Sequence, residues 1–357
     1  MQLWNTLSKE ELAIKMRERG QKLITISFYQ YAQIADPSSF RNQLFLLFQD
    51  LGVVGRIYVA KEGINAQLAV PADEFERFRD ELYTIDFLNG IRLNIAVDES
   101  EAEFPFLKLK IKVRNKILAD GLDDDTFDVT NKGVHLNAEE FNRLVTQPDT
   151  ILIDFRNHYE SEVGHFKDAI LPDVDTFRES LPYIEETYLK GNEDKNLVMY
   201  CTGGIRCEKA SAYFKHRGFK NVHQLEGGII KYANDCKNLG IENRFVGKNF
   251  VFDERRGERI TEDIISNCHQ CGKPADVHTN CVNDACHLLF IQCDDCKKSF
   301  ENCCSTECQE TIHLPEEVQK ELRKGKNNSN QIFKKGRSNA LIYKVNNEKP
   351  LSLIQTK

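Results

Sequence analysis

Residues 196–218 read NLVMYCTGGIRCEKASAYFKHRG. A short apolar run leads into two glycines, and these into a stretch with the composition of a helix. Runs of this type, apolar at consecutive positions, are what a strand covered on both faces requires. TILIDF (150–155) and NVHQLEG (221–227) have the same character. Helical stretches AEEFNRLV (138–145), CEKASAYFKHRG (207–218) and GGIIKYANDCKN (227–238) separate or flank them. Strands that alternate with helices predict a parallel sheet with helices on both faces, here over residues 126–245.

In such a sheet ligands collect beyond the carboxyl ends of the strands, and CTGGIRC (201–207) sits at one of them. Gly203 and Gly204 allow the backbone to curl so that successive N–H groups point inward as an anion-binding nest. The helix that follows adds partial positive charge and Arg206 a full one. Together these favour thiolate over thiol at Cys201, and the thiolate is the nucleophile. The reading therefore makes Cys201 and Arg206 catalytic candidates, with Thr202, Gly203, Gly204, Ile205 and Cys207 as the active loop. Cys207 falls in the first helical turn, where it packs or resolves an oxidised Cys201. Asp154, Arg156, Glu160 and His165, at and beyond the end of the strand TILIDF, are expected to support the loop through ion pairs and hydrogen bonds. His165 has proton donation as a second role.

The 357 residues exceed one ordinary domain, and 41% hydrophobic with 29% charged residues predicts folded domains rather than disorder. No apolar run approaches the ~20 residues of a membrane span, and the first twenty residues lack a signal-peptide core, so a cytoplasmic protein is expected. The net charge of −7 does not suggest nucleic-acid binding by bulk attraction, although an average hides patches.

Residues 1–125 have a different rhythm. LITISFYQY (23–31) is strand-like, and SSFRNQLFLLFQDLG (38–52) carries apolar residues at helical spacing. VGRIYVAKEGINAQLAV (54–70) makes two strands around Gly63, and ADEFERFRDELY (72–83) a helix. IRLNIAVDES (91–100) and LKLKIKVRNKI (107–117) are strands again. This order predicts a ferredoxin-like α+β domain, serving as a scaffold or docking unit.

Nine of the twelve cysteines lie between residues 268 and 308. In a reducing compartment such density marks a metal-binding module, placed here at 246–315. Cys268/Cys271 and Cys293/Cys296 are C-x2-C knuckles; Cys281/Cys286 and Cys303/Cys308 are expected to complete two four-sulfur sites, leaving Cys304 spare. Adjacent and interleaved pairing both fit, and His269, His278 and His287 are possible substitutes. Closed thiolate sites favour structural zinc, with iron or an iron–sulfur cluster as the rival. Residues 316–357, rich in lysine and arginine from 320 to 337, are expected to form a basic, mobile tail.

CTGGIR resembles the six-residue active loop of rhodanese-like domains, with Cys201 as the persulfide-carrying cysteine. DFRNHYESEVGHF (154–166) resembles that family's first signature, and LEGGIIKY (225–232) the Gly-Gly turn before its last helix. The flanks FYQYAQIADP (28–37), VAKEGINAQLAV (59–70), GKNFVFDERRGERI (247–260) and CHQCG (268–272) extend the resemblance. With them the chain is similar to the bacterial oxygen-dependent tRNA uridine hydroxylases over nearly its full length. The resemblance implies an RNA-modifying oxidoreductase that makes 5-hydroxyuridine at the wobble position, with molecular oxygen as co-substrate and the tRNA anticodon as partner. With RNA as the implied substrate, Lys61, Arg114 and Lys116 of the N-terminal domain and the lysines of the tail are its candidate RNA contacts. No flavin, haem or nicotinamide motif accompanies it. Two other functions use the same loop: a sulfurtransferase carrying a persulfide on Cys201, and a non-catalytic RNA-binding or adaptor protein.

Overall fold

The computed structural model describes residues 7–98, 102–122, 127–325 and 332–341. Its first helix, α1 (Lys9–Arg19), starts on a capping box between Ser8 and Glu11. Then follow β1 (Leu23–Tyr31), α2 (Pro37–Asp50), β2 (Val54–Ala60), β3 (Gly63–Pro71), α3 (Phe75–Tyr83), β4 (Asn94–Ile95) and β5 (Leu109–Val113). The strands lie in the order β4-β1-β3-β2-β5; β5 runs parallel to β2 and all other pairs are antiparallel. The expected ferredoxin-like core is present with β5 added on its edge. Alternation along the strands decides what each face meets. Ile26, Phe28, Ile57, Val59, Ile64 and Leu68 pack under Leu44, Phe45 and Phe48 of α2 and Phe78 and Leu82 of α3. The residues between them are polar or amphipathic and face away from the helices.

The central domain contains β6 (Val134–Leu136), α4 (Ala138–Leu144), β7 (Thr150–Asp154), α5 (His158–Ser161), β8 (Gly164–Phe166) and α6 (Phe177–Ile184). It continues with β9 (Asn196–Tyr200), α7 (Ile205–His216), β10 (Asn221–Leu225) and α8 (Gly228–Leu239). β6, β10, β9 and β7 form a four-stranded parallel sheet. Ile153, Leu197 and Met199 face a layer built by Leu181 of α6 and Ala210 and Phe214 of α7. Leu152, Val198 and Tyr200 face the other layer, with Phe141 of α4 and Tyr232 of α8. Covering on both faces explains why these strands are apolar at successive positions.

Beyond the sheet, β11 (Phe245–Asn249) pairs antiparallel with β8 and with β12 (Glu258–Arg259), which binds the following module to the central domain. The module holds the hairpin β13 (His278–Asn280) and β14 (Leu289–Ile291), then α9 (Asp294–Ser299) and α10 (Thr306–Ile312). α11 (Glu316–Arg323) and α12 (Lys335–Asn339) complete the chain as described.

The expectation of a mobile tail from residue 316 needs correction where the tail is described. Phe333 stacks on Tyr159 with ring centroids 4.8 Å apart, and the Leu289 N–H donates to the Ile332 carbonyl at 2.9 Å. The Lys335 ammonium meets Asp173 at 2.7 Å and its backbone N–H meets Asp175. An aromatic anchor flanked by cations facing aspartates docks this stretch, which a count of lysines alone does not disclose. Residues 326–331 and 342–357 lie outside the described residues.

Candidate active site and cysteine clusters

The 201–207 loop leaves the carboxyl end of β9 and turns into α7 at Gly204, whose φ of 101° favours glycine. A Cβ at Gly204 would also lie 2.7 Å from the Tyr29 hydroxyl. The Ile229 and Ile230 N–H groups, at the start of α8, donate to the carbonyls of Cys201 and Thr202 at 3.0 and 3.2 Å. That approach is possible because Gly228 has no side chain: a Cβ there would sit 2.5 Å from the Cys201 carbonyl oxygen. The LEGGIIKY turn thus clamps the loop from below.

Cys201 is fully buried at the floor of a cavity. Burial pushes its thiol up, but the Cys207 thiol, the Arg206 charge and the N–H groups of Cys207 and Gly204 outweigh this and bring it down to about 6. The Gly204 N–H lies 3.1 Å from Sγ. Cys207 moves the opposite way, well above the ordinary thiol range, through burial and its bond to the Cys201 sulfur. It therefore stays protonated and donates.

Arg206 forms two hydrogen bonds with Glu160, at 2.6 and 2.8 Å, and its guanidinium lies over the Phe252 ring. Glu160 is held by its place in the short α5, where it also accepts from the Asn157 N–H at 3.0 Å. Asp154 and Arg156 form a second buried ion pair at 2.7 Å. Arg156 also donates to the carbonyls of Glu160 and Gly164, tying the end of β7 to α5 and β8. His165 lies on β8 with Nδ1 against the Ser161 carbonyl at 3.0 Å and is not among the cavity residues. So Glu160 meets Arg206 and the loop, Asp154 and Arg156 brace the scaffold one layer behind, and His165 stands apart.

The cavity has a volume of about 420 Å³. One wall is the loop, with Cys201, Thr202, Gly203, Ile205 and Arg206. The facing wall is the polar side of the N-terminal sheet: Thr25, Ser27 and Tyr29 of β1, Arg56 and Tyr58 of β2, Asn65 and Gln67 of β3, and Asn94 of β4. Phe252, Arg255, Glu258, Tyr159 and Phe333 close the sides. Asn94 Nδ2 donates to the Gly203 carbonyl at 3.3 Å, and the Tyr29 hydroxyl donates to Glu208 at 3.1 Å. Glu208 in turn meets His135 Nε2 at 2.9 Å and the Lys132 ammonium at 3.0 Å. Glu258 is buried, and burial raises its carboxyl to about 7 even though Arg255 lies at 2.7 Å; the nearby Asp253 charge raises it further.

Sequence reasoning missed this facing wall. Its one available signal was the period-2 alternation of FYQYA, GRIYV and INAQL, which shows a polar face without showing what the face meets. Among the expected RNA contacts, Lys61 is exposed at the β2–β3 turn and Arg114 lies over the Tyr58 ring at 5.7 Å. Lys116 instead turns inward: it pairs with the buried Asp120 at 2.8 Å, beside Lys209 at 2.7 Å. A buried carboxylate demands cations, and Lys116, four residues before Asp120, supplies one of the two.

In the module, two sets of four cysteine sulfurs gather, each within 4.8 Å of one another: Cys268, Cys271, Cys293 and Cys296; and Cys281, Cys286, Cys304 and Cys308. Each set can hold one metal ion. The pairing is interleaved along the chain, since the β13–β14 hairpin carries one pair past the other. The second set corrects the expected ligand Cys303: Cys304 takes its place, 3.6 Å from Cys286 and 3.7 Å from Cys308. Consecutive side chains diverge, and the Cys303 carbonyl is held by Gln270 and Gln292, so its neighbour faces Cys308 at the start of α10. His269 meets Glu162 at 2.7 Å, His278 is packed on Phe250, and His287 lies beside Asp284. None of the three belongs to either set.

Comparisons with known proteins follow this division. Residues 23–117 match the UPF0176 acylphosphatase like domain, 137–235 the rhodanese-like domain, and 246–309 the rhodanase C-terminal family. A rhodanese-like domain protein from Staphylococcus aureus is similar over 28% of this chain and 90% of its own, at 21% identity and a TM-score of 0.23. A Photorhabdus laumondii protein named tRNA uridine(34) hydroxylase is 54% identical over 336 residues, 94% of this chain and 95% of that one. A Yersinia pestis protein of the same name is 52% identical over 336 residues, 94% of each chain. Among the described residues no helix is long and apolar enough to cross a membrane. With the thiolate loop, the facing sheet and the paired cysteine clusters in one chain that matches these relatives nearly end to end, the protein belongs to the tRNA uridine(34) hydroxylase family.

Proposed function

We propose that the chain hydroxylates carbon 5 of the wobble uridine of tRNA, with molecular oxygen as co-substrate and Cys201 as the nucleophile that touches the base. The observation that carries this reading is the cavity between the Cys201 loop and the polar sheet face. Sulfur transfer from a small donor such as thiosulfate requires no hydrogen-bonding wall of this kind facing the loop. A uracil ring needs donors and acceptors around its edge, and Asn65, Gln67 and Asn94 supply them. A volume of about 420 Å³ lies within the range of small-ligand sites.

Addition of the Cys201 thiolate to C6 of uracil removes the 5,6 double bond and gives C5 the carbanion character needed to join oxygen. Net hydroxylation by molecular oxygen consumes two electrons and two protons from an external donor and releases water. Elimination at C6 then restores the double bond and returns the thiolate. Arg206, locked to Glu160, and the Gly204 N–H hold that thiolate before addition and after release. The buried sulfur requires a base removed from its stack, which the single-stranded anticodon offers at small cost. The reading places the protein in the cytoplasm, with tRNA and its reductants.

Zinc is the ion we assign to the two cysteine sets. A Zn–S bond of about 2.3 Å puts tetrahedral sulfurs about 3.8 Å apart, close to the 3.6 and 3.7 Å pairs in these sets. Bound zinc supplies a cross-link that helps fold the module.

The test compares wild type and Cys201→Ser by mass spectrometry of tRNA nucleosides. Wild type should yield 5-hydroxyuridine and the variant none; undiminished product in the variant overturns the assignment. The loop equally suits sulfane sulfur, so thiosulfate and cyanide form the second arm. Thiocyanate release through Cys201 with no 5-hydroxyuridine would establish the sulfurtransferase reading instead.

A further inference from the structure

The outward face of the N-terminal sheet is organised across its strands. The pairing register sets Ser27 opposite Gln67, Gln67 opposite Arg56, and Arg56 opposite Lys110. A second row places Tyr29 opposite Asn65, Asn65 opposite Tyr58, and Tyr58 opposite Lys112. Both rows begin at the Cys201 loop, where Tyr29 adjoins Gly204 and Ser27 adjoins Gly203. Both end on lysines of β5, the edge strand, where Lys108 extends the same face. The three strand spacings from β1 to β5 span about 14 Å.

The β5 end is strongly cationic in a chain whose net charge is −7. Lys108, Lys110 and Arg56 are exposed, and no described acidic side chain pairs with them or with Lys112. Their crowding is physical: Lys112, then burial, Lys108 and Arg56 hold the Lys110 ammonium below its ordinary value. Like charges kept together without counter-charge are a feature that a polyanion relieves. Tyr58 adds a ring covered by Arg114, a pairing of aromatic and cation that suits unstacked bases.

We propose that these two rows form the track for the single-stranded RNA on either side of the target uridine. The β5 lysines and Arg56 contact backbone phosphates, Tyr58 and Arg114 offer a stacking plane, and the target base passes Tyr29 to reach Cys201. A single strand fits because a base held in a duplex does not reach a buried sulfur. The track rests on the uridine-hydroxylase reading, and its test separates the two.

The test uses the full chain and an unmodified tRNA transcript. A triple variant, Lys108→Gln with Lys110→Gln and Lys112→Gln, is compared with Lys190→Gln, Lys195→Gln and Lys220→Gln. The second triple lies at the opposite end of the central sheet, before β9 and β10. Removing three phosphate contacts should weaken binding roughly 10–100-fold at low salt and reduce the slope of log affinity against log salt by about 2. It should raise KM for tRNA while leaving kcat and the Cys201 titration in place; the control triple should change none of these. If wild type makes 5-hydroxyuridine and the β5 triple binds with unchanged affinity and slope, the track is wrong and the functional reading stands. If wild type binds tRNA but forms no 5-hydroxyuridine, the hydroxylase reading fails and the track, which depends on it, falls too.

Discussion

Arg206 and Glu160, far apart in sequence, meet through two hydrogen bonds of 2.6 and 2.8 Å with side chains 7% and 0% exposed. The guanidinium is therefore a fixed charge held beside Cys201 rather than a mobile arm. Arg206→Gln should move the Cys201 titration from about 6 up toward the ordinary thiol range. The sign follows from the depressed value: thiolate is present above about 6 and lost as pH falls through it, so the variant loses thiolate near neutrality. Ultraviolet thiolate absorbance, referenced to Cys201→Ser, reads this directly. Glu160→Gln leaves Arg206 buried without its counter-charge and should cost about 3 kcal/mol in urea unfolding. An unchanged titration in Arg206→Gln would refute the electrostatic role.

We propose that Cys207, whose thiol is held well above its ordinary range by burial and by the Cys201 sulfur, acts on Cys201 as a proton donor rather than as a second nucleophile. Cys207→Ala removes the donor and should raise the Cys201 titration, while 5-hydroxyuridine still forms above the new midpoint. Product lost at every pH, in a folded variant, would instead give Cys207 a part in the chemistry. A pH profile of nucleoside formation decides.

The cysteine sets give a sharp contrast between neighbours. Elemental analysis of the purified chain should find two metal ions per molecule, matching the two sets. Cys304→Ser should lose one ion, and Cys303→Ser should retain both. A metal ion held by the set would cross-link the module, so Cys304→Ser should also unfold it at lower temperature. Retention of both ions by Cys304→Ser would exclude the assigned set.

Glu258 makes a stability prediction. Burial raises its carboxyl from 4.5 to about 7 in the folded chain. A raised carboxyl contributes stability fully below the unfolded value of about 4.5, and that contribution is lost as pH rises toward 7. Urea unfolding should therefore show a decline on the order of 3 kcal/mol across this window, flattened in Glu258→Gln. A slope equally steep in the variant would assign it to other groups.

Much of the central domain was legible in the sequence because its determinants are local. Apolar runs at 150–155 and 196–200 specify strands covered on both faces, and glycines at 203 and 204 specify a turn into a helix. The knuckle spacings announced clusters of sulfurs able to hold a metal by the same local logic. Other features depended on which distant surfaces meet. Alternation in β1, β2 and β3 showed a polar face, but only domain docking turned it toward Cys201 and made Tyr29, Asn65 and Asn94 cavity walls. Lys116 looked like a surface cation until Asp120 was placed beneath it, and Phe333 like tail until Tyr159 lay against it. Cys304 displaced Cys303 because one residue of rotation decides which sulfur faces a cluster. Sequence periodicity determines the elements and the reactive loop, since each forms within a few residues. Partners across elements are decided by register and docking, which close contacts between residues far apart in the chain.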